Sequence, residues 1–104
     1  MKRIIDGKRY DTETADHIAQ ASASCPVNDF NHWEENLYRT KSGRFFLVGE
    51  GGPMTGYARS CGQNQWTGGS DLQPLTDDEA RSWLERHKHT EALEEFFADL
   101  IEEA

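Results

Sequence analysis

From Thr90 to Ala104 the sequence has no lysine or arginine, while six acids fall there: Glu91, Glu94, Glu95, Asp99, Glu102 and Glu103. That one-sided charge excludes the end of the chain as a ligand for bare nucleic acid or an anionic membrane. Cysteine is scarce as well. Cys25 and Cys61 are the two, far apart and outside any Cys-x-x-Cys context. This excludes a disulfide-dense secreted scaffold and predicts two partly buried thiols in a reducing cytosol, with a single Cys25–Cys61 bridge left open. No apolar run approaches the roughly 20 residues of a membrane-spanning helix. The opening Met1-Lys2-Arg3-Ile4-Ile5-Asp6 has only two apolar residues behind its basic pair, too few for a secretory leader. The expectation is a soluble cytoplasmic protein.

What is present fits one folded domain over 1–104. Three tryptophans and five phenylalanines supply a core, and 11% aromatic residues argue against disorder. Through Ser60, eight bases balance eight acids. From Cys61 onward, three bases face eleven acids, so the whole formal charge of −8 lies in the later part of the chain. An asymmetry of this kind speaks of partners rather than of fold.

Along the chain, Asp6-Gly7 between short strand-like arms suits a two-residue type I′ turn, because both positions tolerate positive φ. Asp11-Thr12-Glu13-Thr14-Ala15 reads as a helix start capped by Asp11 or Thr12. The predicted helix carries Ala15, Ile18, Ala19 and Ser22 on one face. Residues 36–41 and 44–49 flank Ser42-Gly43 and read as a hairpin. Its second arm is apolar at Phe45, Phe46, Leu47 and Val48, which predicts a central strand buried on both faces. Met54 to Ala58 is expected to form one helical turn, and Leu72-Gln73-Pro74-Leu75 a short edge strand, since Pro74 has no amide hydrogen for a ladder. Thr76-Asp77-Asp78-Glu79 spells a capping box, followed by Ala80, Trp83, Leu84 and His87 at helical spacing. A last helix beginning near Thr90 places Leu93, Phe96, Phe97, Leu100, Ile101 and Ala104 in one stripe. The expected fold class is α+β. A small antiparallel sheet has the hairpin 36–41/44–49 at its centre, with about three helices packed mainly on one face.

The acids of the last helix read either as a solvated face or as an interface. Two details favour the interface. Ordinary surface helices mix Glu with Lys at i,i+4, and this one has no Lys. Glu102 and Glu103 would also stand in the last turn, where the helix dipole disfavours anions by about 0.3–1 kcal/mol each. A row of carboxylates can imitate the phosphates of a nucleic-acid strand and occupy a Lys/Arg-lined channel. The expected partner-binding set is Asp77, Asp78, Glu85, Glu91, Glu94, Glu95, Asp99, Glu102 and Glu103.

Other chemistry is poorly supplied. Gly49 to Gly56 lacks the Gly-Lys-Ser/Thr ending of a phosphate loop and reads as a turn or bulge. His17, His32, Cys25 and Cys61 show no zinc-ligand spacing. His87 and His89 flank Lys88 at a helix end, where imidazolium suits the dipole. Cys61, beside Arg59, is the one nucleophile to nominate, without a base. Glu34-Glu35 and Asp77-Asp78 are adjacent pairs whose side chains diverge on a strand or helix, which makes poor acid–base couples. Trp33, Tyr38, Phe45 and Tyr57 suggest a base-stacking platform, but such platforms sit in positive grooves. No catalytic residue, metal or cofactor is expected.

Residues 37–54, Leu-Tyr-Arg-Thr-Lys-Ser-Gly-Arg-Phe-Phe-Leu-Val-Gly-Glu-Gly-Gly-Pro-Met, resemble a family of small proteins of bacteria and their mobile elements. So do Gly7 to Ala15, Trp66-Thr67-Gly68-Gly69 and Pro74 to Ala80, so that the resemblance runs to about His87. It implies no particular chemistry. In size and charge the chain is also similar to small acidic anti-CRISPR proteins, several of which mimic nucleic acids; that likeness assigns no residue. The resulting expectation is a monomeric, non-enzymatic inhibitor that binds a basic protein surface of a nucleic-acid-handling complex, a CRISPR effector in its concrete form. It would bind neither nucleic acid nor membrane directly. The alternative is a protein-interaction or adaptor domain without mimicry, using the Gly-rich loop and exposed aromatics.

Overall fold

The computed structural model describes residues 1–25, 29–62 and 65–104, with the side chains of 60–62, 65 and 66 outside the description. Among the described residues there are eight strands: β1 (Lys2–Ile5), β2 (Lys8–Asp11), β3 (Asp16–Ser22), β4 (Trp33–Arg39), β5 (Phe45–Gly51), β6 (Arg59–Gly62), β7 (Gln65–Thr67) and β8 (Gly69–Leu75). Helices α1 (Asp77–Arg86) and α2 (Thr90–Phe96) follow, then a 3-10 turn at Ala98–Leu100. The main sheet has four antiparallel strands in the order β3-β4-β5-β8, and β1-β2 and β6-β7 form separate two-stranded ribbons.

The hairpin β4-β5 occupies the two central positions, in the register Arg39↔Phe45, Leu37↔Leu47 and Glu35↔Gly49. Its turn closes with Thr40 N–H donating to the Arg44 carbonyl at 2.8 Å, and Gly43 takes φ 94°, which a side chain would resist. Alternation along β5 divides the core. Phe45 and Leu47 face α1 and α2 together with Ala19, Leu37, Ala80, Trp83, Leu84 and Phe97. Phe46 faces the other way, with Leu72 and Tyr10. There the ribbon β1-β2, turned by Asp6 and Gly7 at φ 52° and 75°, lays Tyr10 edge-on against Phe46 at 5.6 Å. The helix α1 starts as its sequence demands. Thr76 Oγ1 accepts from Glu79 N at 3.1 Å, and Glu79 Oε1 accepts from Thr76 N at 2.9 Å.

Three expectations require correction. The segment predicted as the first helix is strand β3, so two α-helices rather than three pack on the sheet. Asp11 Oδ1 does accept from Glu13 N at 2.9 Å, but the contact closes a turn instead of opening a helix. Ile18 is then the extra residue of a bulge between His17↔Tyr38 and Ala19↔Leu37. The bulge brings Ile18 and Ala19 to the core side in succession, which mimicked helical spacing. Secondly, α2 stops at Phe96. Phe97 leaves the helical region at φ −130° and stacks on Phe45 at 5.5 Å, while Phe96 meets the same ring edge-on at 6.2 Å. With both rings spent on Phe45, the stripe beyond has nothing to cover it, and Leu100 and Ile101 are 57% and 50% exposed. Thirdly, residues 54–58 form successive turns, with Thr55 N–H donating to Gly52 O and Ala58 N–H to Thr55 O, not a helical turn.

Candidate interaction surface

Glu35 is the best-connected side chain on the helix-facing side of the sheet. Glu34 and Glu35 diverge as strand neighbours must. Glu34 turns to the far face and accepts from Gln20 Nε2. Glu35 turns toward α1, accepting from Trp83 Nε1 at 3.0 Å and from the Tyr57 hydroxyl. Burial, then the bond to Glu35, then the charges of Glu35 and Asp71 hold the Tyr57 phenol well above the ordinary tyrosine range. Tyr57 reaches Glu35 because Gly49 lies between: a Cβ there would meet the Tyr57 oxygen at 1.9 Å. Gly52 likewise admits the Phe30 carbonyl, and Gly69 that of Tyr57. The Gly-rich run is therefore a packing device that lets the 52–58 loop lie on the sheet. Beside Glu35 a cleft of about 390 Å³ runs under α1, with Asp78, Glu79, Ser82 and Arg86 along it.

The nine acids predicted as partner-binding are all exposed. Asp78 and Glu85 share Arg81, at 3.5 and 4.0 Å, and so are partly neutralised. Asp77, Glu91, Glu94, Glu95, Asp99, Glu102 and Glu103 meet no basic side chain within 4 Å among the described residues. Glu91, Glu94 and Glu95 stand on α2, and Asp99 in the 3-10 turn. Glu102 and Glu103 lie beyond the last helix, so the dipole penalty expected for them does not arise.

His87 closes α1 as its C-cap, and both His87 and His89 pack on Trp83, at 4.8 and 5.5 Å between ring centres. Burial, then the neighbouring Arg86, lower the His87 pKa; Glu35 opposes and His89 adds to the shift. The imidazolium expected at this helix end is thus disfavoured. Among the described residues no three His, Cys, Asp or Glu side chains converge where a metal ion would sit. No described helix is long and apolar enough to cross a membrane. The side chain of Cys61 is outside the described residues, and with it the nominated nucleophile and the Cys25–Cys61 bridge. So is Trp66. Arg59 is spent on the carbonyls of Tyr57 and Ala58 at 3.0 and 3.3 Å and of Ser70 at 3.3 Å.

Phe30 escaped the sequence reading, which reached Met54 only as part of the Gly-rich loop of the adaptor alternative. Phe30 and Met54 are 65% and 66% exposed and are joined by Met54 N–H donating to the Phe30 carbonyl at 3.0 Å. The chain matches no protein-family model, no curated protein and no solved structure.

Proposed function

We propose that this protein is a non-enzymatic inhibitor whose acidic C-terminal surface occupies a basic nucleic-acid-binding site on a partner, with a CRISPR effector complex as the concrete target. The observation that carries this reading is the exposed set Glu91, Glu94, Glu95, Asp99, Glu102 and Glu103, which no basic side chain among the described residues neutralises within 4 Å. Carboxylates so placed retain their full field for a partner. A Lys/Arg groove built for phosphates would recognise them by the same electrostatics.

Glu94→Lys with Glu95→Lys tests it. Both residues are exposed, so stability should move by no more than about 0.5 kcal/mol. The wild-type chain should block target-DNA cleavage by the effector, lose that effect as salt rises, and be displaced by excess DNA. The double reversal should lose most of the inhibition. Equal inhibition by both proteins at every salt concentration would make the acidic surface a solvated face. The second reading, an adaptor docking through apolar contacts, is favoured by the exposed Phe30–Met54 pair. Phe30→Ser with Met54→Ser would then abolish a binding that salt leaves unchanged.

A further inference from the structure

The two edges of the main sheet are treated differently. Along the outer edge of β8 three of the groups from Ser70 to Pro74 that point away from β5 are bonded and a fourth is missing. Ser70 O accepts from Arg59 Nη2 at 3.3 Å, and Leu72 O from Arg3 Nη1 at 2.8 Å. Leu72 N–H donates to Asp71 Oδ1 at 2.9 Å, and Pro74 has no N–H. These are the usual defences of an edge strand. On β3, Ala23 N–H donates to Trp33 O at 2.9 Å, which fixes the alternation: Ala19 and Ala21 bond inward to β4, and Gln20 and Ser22 point outward. Among the described residues no hydrogen bond reaches the backbone N–H or C=O of Gln20 or Ser22. The bulge at Ile18 ends the template on one side. Beyond it the edge carries no proline, and no charge stands anywhere from Ile18 to Asn28.

We propose that β3 pairs antiparallel with β3 of a second copy, joining the two four-stranded sheets across a two-fold axis. This inference rests on the strand edge and shares only Glu91 with the acidic surface. Three observations identify the occupant. From Ile18 to Ser22 the strand carries no charge, so this stretch opposes itself without like-charge conflict and with its donors and acceptors matched. Lys88 and Glu91 both line an open cavity of about 440 Å³ beside Ile18 and Ala19, so the flank of the edge is itself self-complementary in charge. The chain also exposes 7193 Å², against about 6,000 Å² for a folded monomer of its mass, an excess comparable to what one partner of a standard interface buries.

Sedimentation velocity over roughly a hundredfold range of concentration, with amide exchange at each end, tests the pairing. The mass should rise from 11.9 kDa toward twice that value, and the Gln20 and Ser22 amides should become protected as it does. Because each copy carries −8, added salt should strengthen the dimer, opposite in sign to the response of the proposed inhibition. Ser22→Lys, at an exposed site, should keep the melting temperature of the monomer and raise the dimer dissociation constant by about tenfold or more. A mass of 11.9 kDa at every concentration overturns the proposal, as does a dimer indifferent to Ser22→Lys. Protection of Gln20 and Ser22 in a monomer would assign the edge to the chain's own residues and overturn it equally.

Discussion

At the residue scale, Glu35 decides how the loop, the sheet and α1 meet. One carboxylate accepts from Tyr57 and from Trp83, which lie on different elements. Glu35→Gln keeps the volume but turns an amide group toward one of two donors. It should cost about 1–3 kcal/mol in a urea titration, and Tyr57→Phe should add less to it than it costs alone, because both changes break one unit. The phenol also sets an alkaline limit. Its folded pKa is raised, so its contribution is fully present below the ordinary tyrosine value and is lost as pH climbs above it. Tyr57→Phe should abolish that part of the alkaline destabilisation. His87 acts in the acid direction. Its folded pKa is lowered, so the unfolded chain takes up the proton first; stability present above the ordinary histidine value falls as pH drops through the folded one. His87→Gln should flatten the stability profile from the ordinary histidine value down through the lowered one. Leu47, 6% exposed beneath α1, should cost about 2–5 kcal/mol when cut to Ala.

At the scale of elements, α1 is held by its own sequence and α2 by its neighbours. Thr76→Ala should remove the cap and lose about 1 kcal/mol, read from thermal or urea unfolding. Combined with Glu79→Ala the loss should be less than additive, since the two bonds are reciprocal. The seven residues of α2 are too few to be stable alone, and Phe96 and Phe97 supply what holds them. Beyond the 3-10 turn, residues 101–104 are all exposed. Deleting them should leave the melting temperature within a degree or two, which is about 0.5 kcal/mol for a chain of this length. The same deletion removes Glu102 and Glu103, and the proposed inhibition should weaken with no loss of fold.

At the scale of the whole molecule, the chain is flat. Its extents are 49 × 36 × 19 Å and its radius of gyration 15.3 Å, against about 13 Å for a compact chain of this length. One sheet layer carries helices on one face and only a small ribbon on the other. Flatness of this kind leaves edges and rims available for partners. The acids lie on the helices and the tail that follow the sheet, while the pairing edge lies on β3, so the two proposed contacts share only Glu91, at the rim of both.

Where signals are local, the sequence alone was enough. Asp6-Gly7 demanded positive φ, Thr76 to Glu79 bonded within one turn, and four apolar residues at 45–48 had to lie inside a sheet. The acids from Asp77 to Glu103 were expected to be exposed, and they are. Tertiary structure decided what depends on distant neighbours. Asp16–Ser22 is a strand because β4 offers it a ladder, and its bulge hid the two-residue alternation that would have revealed it. The last helix ends where Phe97 finds Phe45, a contact between residues 52 positions apart that no local pattern encodes. Glu35 meets Trp83 across a separation of 48 residues for the same reason. A sequence states which groups must be buried, bonded or solvated; which partner satisfies them is settled only when the chain has closed on itself.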